Sequence, residues 1–414
     1  VLINMINEIK NFFKKIVFCF TSQLITKILC DDILNYGKKN YFNEKLDISV
    51  VKRLLIIRLD AIGDFVLFTP FLRELRQNLP NAWISLIVNP IVFNLARHCP
   101  YVDEVLQTNW HGDRDMNRFS RHWLCWRMAM KKLAHHKFDL AILPRRGPSY
   151  SHDAFLAYFS GARYRIAYSN TILKIKLPYY RNNDSLLTHL MKDIDVTHEV
   201  ESNLDFLRSI GGSIKSDYLE LWPTSKDRIC AKNLLSSYKI TKDDFLVALA
   251  PGKWDPKRRW PVSRFIDLAL WLNEKYKAKF IIFGGNEDIS LGWQIHSALN
   301  DSVINLAGQT ALYQAFALLE NCALFIGNDS GPKHLAAAAG IPSIEINYYP
   351  LDGLSSHFEF PGHFSPWKVP HRILQPKTVS PPCSHLCKAK EAHCISTVTV
   401  EDVKKTVRDI LSEA

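Results

Sequence analysis

Four consecutive aliphatic residues, Leu54-Leu55-Ile56-Ile57, constrain this chain more than any other feature. A strand with one wet face alternates apolar and polar residues. An unbroken run needs cover on both faces, as in a parallel sheet flanked by helices. A glycine-containing turn and a helical pattern over 64–78 follow it. Further short apolar runs, at 83–88, 102–106, 140–143 and 164–167, alternate with helical segments near 121–136 and 152–160. That alternation predicts a doubly wound parallel sheet.

The pattern then stops and restarts. Residues 211–242 are more polar and carry Gly-Gly, a proline and mixed charges, which marks a linker. Strands are predicted at 245–250, 280–283, 323–326 and 343–346, with helices at 263–275, 289–299, 311–320 and 332–339. Two Rossmann-like α/β halves suit a chain of 414 residues. They imply a central cleft, because open parallel sheets bind ligands beyond the carboxyl ends of their strands. The expected division is an amphipathic helical extension (1–50), an N-terminal domain (51–215), a linker (216–242), a C-terminal domain (243–396) and a last helix (397–414). Seven of the 20 prolines fall between 350 and 382, so that stretch should be largely irregular. In the extension, Ile6, Ile9, Phe12, Phe13 and Ile16 recur at helical spacing beside Lys10, Lys14 and Lys15. Such a helix suits either an anionic membrane surface or a protein face.

The net charge of +11 points to an anionic partner. It is concentrated: residues 111–190 hold fourteen Lys/Arg and five Asp/Glu. Arg145, Arg146, Arg163 and Arg165 lie after or beside strands there and suit a phosphorylated or acidic partner. No nucleic-acid-binding motif accompanies them. No stretch approaches 18 apolar residues and no signal-peptide layout opens the chain, so neither a spanning helix nor export is expected. Cys19, Cys30, Cys99, Cys125, Cys230 and Cys322 lie in apolar or helical surroundings and read as small buried hydrophobes of a reducing compartment.

Five segments carry chemistry. Arg58-Leu59-Asp60-Ala61-Ile62-Gly63-Asp64 follows the first strand. Gly63 permits a tight turn, and Asp64 falls at the start of a helix, as a helix-capping residue or a general base. Pro251-Gly252-Lys253-Trp254-Asp255-Pro256-Lys257-Arg258-Arg259-Trp260-Pro261 sets four cations within seven residues after a buried strand, a phosphate clamp or a solvated loop. Phe283-Gly284-Gly285-Asn286-Glu287-Asp288 follows another strand, where Glu287 would accept from ribose hydroxyls or cap a helix. Gly327-Asn328-Asp329-Ser330-Gly331-Pro332-Lys333-His334 leads into an alanine-rich helix whose N-terminus would face an anion, with Asp329 as the alternative cap. Cys383, Cys387 and Cys394, interleaved with His385 and His393, are the possible metal cluster; a loop staple or simple packing is the alternative.

Together these segments resemble glycosyltransferase family 9, the ADP-heptose:lipopolysaccharide heptosyltransferases. The resemblance runs from about Arg53 to the C-terminus, strongest in "PGKWDPKRRWPVSRF", "FGGNED", "INLAGQTAL" and "GNDSGPKHLAAAAGIPSI". It implies a GT-B fold, with the acceptor on the N-terminal domain, the donor on the C-terminal one, and a last helix returning toward the first. It implies an inverting glycosyl transfer from an ADP-sugar with no cofactor required, by a cytoplasmic protein peripheral at the inner face of the bacterial inner membrane. Asp64 takes the base's place. Lys253, Lys257, Arg258, Asp329, Ser330, Gly331 and His334 take those of the diphosphate-sugar site, and Glu287 that of the nucleoside site. Gly63, Arg145, Arg146 and Arg163 lie on the acceptor side. Arg258 stands where better-known members have lysine, and the cysteine-rich segment also has counterparts that hold no metal. The first 50 residues have no counterpart in the short core enzymes. Another nucleotide-sugar donor, or a non-catalytic nucleotide-sugar or glycan-binding role, are the alternatives.

Overall fold

In a computed structural model, residues 46–108, 118–146, 152–169, 183–191, 198–357, 359–381, 383, 389 and 391–413 are described. The expected amphipathic helix of residues 1–50 falls almost wholly outside them. The first sheet is entirely parallel, in the order β3-β2-β1-β4-β5-β6. Its strands are β1 (Arg53–Arg58), β2 (Trp83–Val88), β3 (Glu104–Gln107), β4 (Leu140–Leu143), β5 (Tyr164–Tyr168) and β6 (His189–Met191). The second sheet, β12-β11-β10-β7-β8-β9, is also parallel. It is built from β7 (Leu246–Ala250), β8 (Lys279–Ile282), β9 (Val303–Asn305), β10 (Leu324–Asn328), β11 (Ser343–Ile346) and β12 (His371–Leu374).

Helices α1 (Ile62–Asn78), α2 (Phe93–Ala96), α3 (Arg118–Met128), α4 (Asp153–Phe159) and α5 (Glu199–Ser209) belong to the first half of the chain. The second half has α6 (Ser225–Ser237), α7 (Val262–Tyr276), α8 (Ile289–Leu299), α9 (Leu312–Leu319), α10 (Gly331–Ala338) and α11 (Val400–Glu413). Among the described residues, no helix is long and apolar enough to cross a membrane.

The chain forms two compact units, and they do not follow the linear halves. One holds the first sheet; the other holds the second sheet together with residues 60–78 and 91–101. The segment that reads as a linker contains α6, whose capping box joins Thr224 and Asp227 and whose inner face packs on α9. The last helix packs within the second unit. Val403, Val407 and Ile410 of α11 enter the same core as Val247, Leu249, Phe265 and Phe280. Its amphipathic stripe is satisfied on α7 and the edge of the second sheet. Strands β6, β9 and β12 were not legible: β6 and β9 are only three residues long, and β12 lies inside the proline-rich stretch. Cys99, Cys125 and Cys322 are buried as read, but Cys230 is exposed on α6.

Each sheet reverses direction beside its first strand. In the first, β1 pairs with both β2 and β4. In the second, β7 pairs with both β8 and β10. Ligand sites of doubly wound sheets form at such reversals.

His198 sets a pH limit on this framework. It is the N-cap of α5: Val200 N–H donates to its Nδ1 (3.2 Å), so its Nε2–H donates to Ser365 O (3.0 Å). Its ring stacks on Trp367 at 4.4 Å. Burial pushes its pKa down to about 4, because protonation would charge a desolvated ring. The unfolded chain therefore binds the proton first on acidification, and stability is lost as pH falls below about 6.5. From pH 7 to pH 5 this one residue should remove about 2 kcal/mol. Urea unfolding of His198→Gln should show a correspondingly flatter pH dependence.

Candidate active site

Strand β7 ends at Ala250 opposite Gly327 of β10. Two motifs 77 residues apart in sequence therefore share one edge: Pro251 O accepts from Asn328 Nδ2 at 2.7 Å. The indole N–H of Trp260, buried at 1 % exposure, donates to Val398 O (2.8 Å), and its backbone N–H donates to Asn328 Oδ1 (3.0 Å). The basic loop is pinned at both ends.

Asp329 does not cap α10. Its Oδ1 accepts from Lys333 Nζ (2.7 Å) and its Oδ2 from Lys253 Nζ (2.9 Å). Lys333 is fully buried and also donates to Glu345 Oε2 at 2.9 Å. Asn347 Nδ2 satisfies the other oxygen of Glu345 at 2.6 Å. Burial opposes ionisation of Asp329, but Lys333 and Lys253 outweigh it and hold the carboxyl well below the usual range. Burial pushes Glu345 upward. Against burial, the two carboxylates hold Lys333 as an ammonium, its pKa above the ordinary lysine value. Sequence reasoning passed over Lys333 and Glu345. The signal was there: a glutamate inside a buried strand needs a cationic partner.

The N-cap of α10 is Ser330, whose Oγ turns back to Asn328 O (3.2 Å) and makes no capping bond. The helix thus begins without a side-chain acceptor for its first-turn N–H groups, the arrangement that receives an anion. The start of α1 lies against it. A Cβ on Gly63 would meet His334 Cδ2 at 2.4 Å, and one on Gly331 would meet Ile62 Cβ at 3.3 Å. Glycine at 63 is required by this close approach. Asp64, in the first turn of α1, accepts from Ala61 N–H at 3.3 Å. His334 is buried, and burial together with the Lys333 charge holds its pKa well below the ordinary histidine value. It is a neutral imidazole, and its buried Nδ1 has no hydrogen-bond partner among the described residues.

The four cations of the basic loop differ in partners. Lys253 braces Asp329. Arg258 pairs with Glu359 (2.6 Å) and Asp255 (3.5 Å), and its guanidinium lies 4.3 Å from the Tyr348 ring centre. Arg259 donates from Nε to Lys253 O at 2.5 Å. Among the described residues, Lys257 joins no ion pair. Glu287 sits exposed at the carboxyl end of β8, on the short turn Asn286–Asp288. Gly252 brings that turn to the basic loop, since a Cβ there would meet Asp288 Oδ2 at 2.1 Å.

The acceptor-side arginines do not share one edge. Arg145 and Arg146 follow the carboxyl end of β4, beside the reversal at β1. Arg163 precedes β5, at the opposite edge of the sheet, and lies 5.1 Å from the Tyr164 ring centre. Arg165 is structural: it donates to Leu186 O and Ala162 O, each at 2.7 Å. In the cysteine-rich segment, Cys387 and His385 lie outside the described residues. Cys383, His393 and Cys394 come together.

Two parallel doubly wound sheets, with a basic loop, an exposed glutamate and an uncapped helix start at the carboxyl ends of the second, are the arrangement of the GT-B class. The comparisons narrow this. The family model of glycosyltransferase family 9 (heptosyltransferase) matches residues 126–379, more than half of the chain, and the chain belongs to that family. It is 27% identical over 309 residues to lipooligosaccharide heptosyltransferase 2 of Haemophilus ducreyi, covering 72% of this chain and 83% of that protein. Its fold is similar to the glycosyl transferase family 9 structure from Veillonella parvula, with a TM-score of 0.70 and 21% identity over 90% of this chain and 99% of that one. It is also similar to Escherichia coli ADP-heptose LPS heptosyltransferase II, with a TM-score of 0.63 and 20% identity over 87% of this chain and 99% of that one.

Lys333→Met leaves the buried Glu345 without its counter-charge and releases Asp329 on one side. Breaking a buried pair in this way costs about 3–5 kcal/mol. Denaturant unfolding should show that loss. Lys253→Met, at a partly exposed pair, should lose no more than about 1 kcal/mol.

Proposed function

We propose that this chain transfers a heptose from ADP-heptose to the core of lipopolysaccharide or a related surface glycan, with inversion at the anomeric carbon. The observation that carries the reading is the contact of Gly63 with His334, which sets the first turn of α1, with Asp64, against the start of α10. A carboxylate base thus stands beside an uncapped helix N-terminus. Asp64 takes the proton from the acceptor hydroxyl as that oxygen attacks the anomeric carbon. The C–O bond to the diphosphate breaks on the opposite face, and its electron pair leaves with ADP.

The leaving diphosphate gains charge in the transition state, and fixed donors there lower the barrier. The α10 N-terminus and Lys257 supply such donors. Arg258 joins them by exchanging Glu359 for phosphate, a like-for-like replacement of one anion by another. Neutral His334 adds no competing charge beside Asp64. Glu287 accepts from the ribose hydroxyls. Arg145 and Arg146 serve an anionic acceptor; the position of Arg163 supports that role less.

An acceptor anchored in a bilayer calls for an enzyme that meets the membrane surface, and α3 supports that role. Trp123, Trp126 and Met130 are 50%, 41% and 44% exposed, and the two indoles stack at 5.0 Å. Arg127, Lys131 and Lys132 lie exposed among them, while Cys125, Ala129 and Leu133 fill the buried side. Residues 118–138 contain six Lys/Arg and no Asp/Glu. Aromatic side chains ringed by cations suit an anionic interface.

Two experiments test these readings. Asp64→Asn should lose about 10²–10⁴ in turnover, the usual contribution of a general base. Calorimetry should show ADP-heptose binding retained, and mass spectrometry of a panel of ADP- and UDP-sugars should show release of ADP only from the heptose donor. Undiminished turnover removes Asp64 as the base, and preference for a UDP-sugar overturns the donor. Trp123→Ala/Trp126→Ala should sediment with phosphatidylglycerol vesicles about tenfold more weakly than the parent chain. Equal sedimentation rules out α3 as the contact.

A further inference from the structure

We propose that Cys383, His393 and Cys394 form a metal site for a thiophilic first-row ion, zinc(II) or iron(II), separate from the donor site. The distance from Cys394 Sγ to His393 Nδ1 is 3.5 Å, and that from Cys383 Sγ to the same nitrogen is 4.0 Å. All three donor atoms lie within 4.8 Å of one another. A tetrahedral ion with bonds of about 2.3 Å to sulfur and 2.0 Å to nitrogen needs S···N near about 3.6 Å and S···S near about 3.8 Å. The observed triangle therefore closes on an ion with shifts of an ångström or less. Two thiolates and an imidazole select this class of cation over magnesium or calcium, which take oxygen donors.

The surroundings suit the site. Ser380 N–H donates to Cys394 Sγ at 3.5 Å, the kind of outer contact that steadies a metal-bound thiolate. All three residues are half-buried, open enough for an ion to enter. The ion would be structural. It would tie residue 383, at the end of the proline-rich stretch, to the turn Cys394–Thr397. That turn leads to Val398, whose carbonyl accepts from Trp260 Nε1 (2.8 Å) and from Arg264 (2.6 Å). The site therefore buttresses the far end of the basic loop. It rests on these donors alone and not on the identity of the sugar.

The test is metal content. The full chain, purified without chelator and with any affinity tag removed, should carry about one equivalent of zinc or iron by elemental analysis. Visible absorbance separates thiolate-bound iron from colourless zinc. His393→Ala and Cys394→Ser should each fall below about one-tenth of an equivalent, whereas Cys230→Ser, exposed on α6, should match the parent. Chelator stripping should lower the parent's melting midpoint, and re-addition of zinc(II) should restore it. Two results overturn the proposal. One is a reduced parent chain that takes up no zinc(II) or iron(II). The other is a His393→Ala/Cys394→Ser chain that keeps the parent's metal content.

Discussion

Lys333 sits at zero exposure between two carboxylates, and much of the second unit is arranged around keeping it charged. An unpaired ammonium there would cost several kcal/mol, so the chain must supply counter-charge from both sides. Glu345 provides it from β11 and Asp329 from the turn after β10. The second oxygen of each carboxylate then needs its own donor, and Asn347 and Lys253 fill those places. One buried cation thus fixes the turn that opens α10, the first cation of the basic loop and the end of β11.

This network explains why α10 starts uncapped. Asp329 is the natural residue to cap the helix, but its carboxylate is held by two ammonium groups. Ser330 faces the Asn328 carbonyl. The helix therefore keeps its partial positive end available, at the cost of the capping energy of about 1 kcal/mol. Such a loss is the usual signature of a binding site, where local rules of stability are broken for a ligand. Gly63 contributes in the same sense. A side chain there would push α1 away from His334 and displace Asp64 from the helix end.

Much of this was legible in the sequence, for identifiable reasons. Both sheets could be read because their central strands, such as 54–57 and 246–250, are unbroken apolar runs. Asp64, Asp329, Ser330 and the basic loop could be found because each directly follows such a run. The edge strands β6 and β9 are too short to carry a pattern, and β12 is hidden in the proline-rich stretch. The partner of α11 was not legible, because an amphipathic stripe states that a helix is buried but not against what. The division of the basic loop was also invisible. Four cations in seven residues look alike in sequence, yet Lys253 and Arg258 are paired with carboxylates brought from 76 and 101 residues away. Arg163 was grouped with Arg145 and Arg146 by composition, while strand direction places it at the opposite edge.

The pairing of Arg258 has a consequence for selectivity. A guanidinium already held by Glu359 and stacked on Tyr348 is ordered before any ligand arrives, so an anion that took the place of the carboxylate would cost little further ordering. Lysine at this position would be a mobile point charge and would need ordering on each binding event. Glu359 also donates nothing and carries a full charge, so its displacement must be compensated. Tyr348 does part of this, since its hydroxyl donates to Glu359 Oε2 at 2.5 Å and would still hold the carboxylate once the arginine has turned. The arginine is therefore tied to Tyr348 and Glu359. The three residues form one closed cluster that orders the guanidinium.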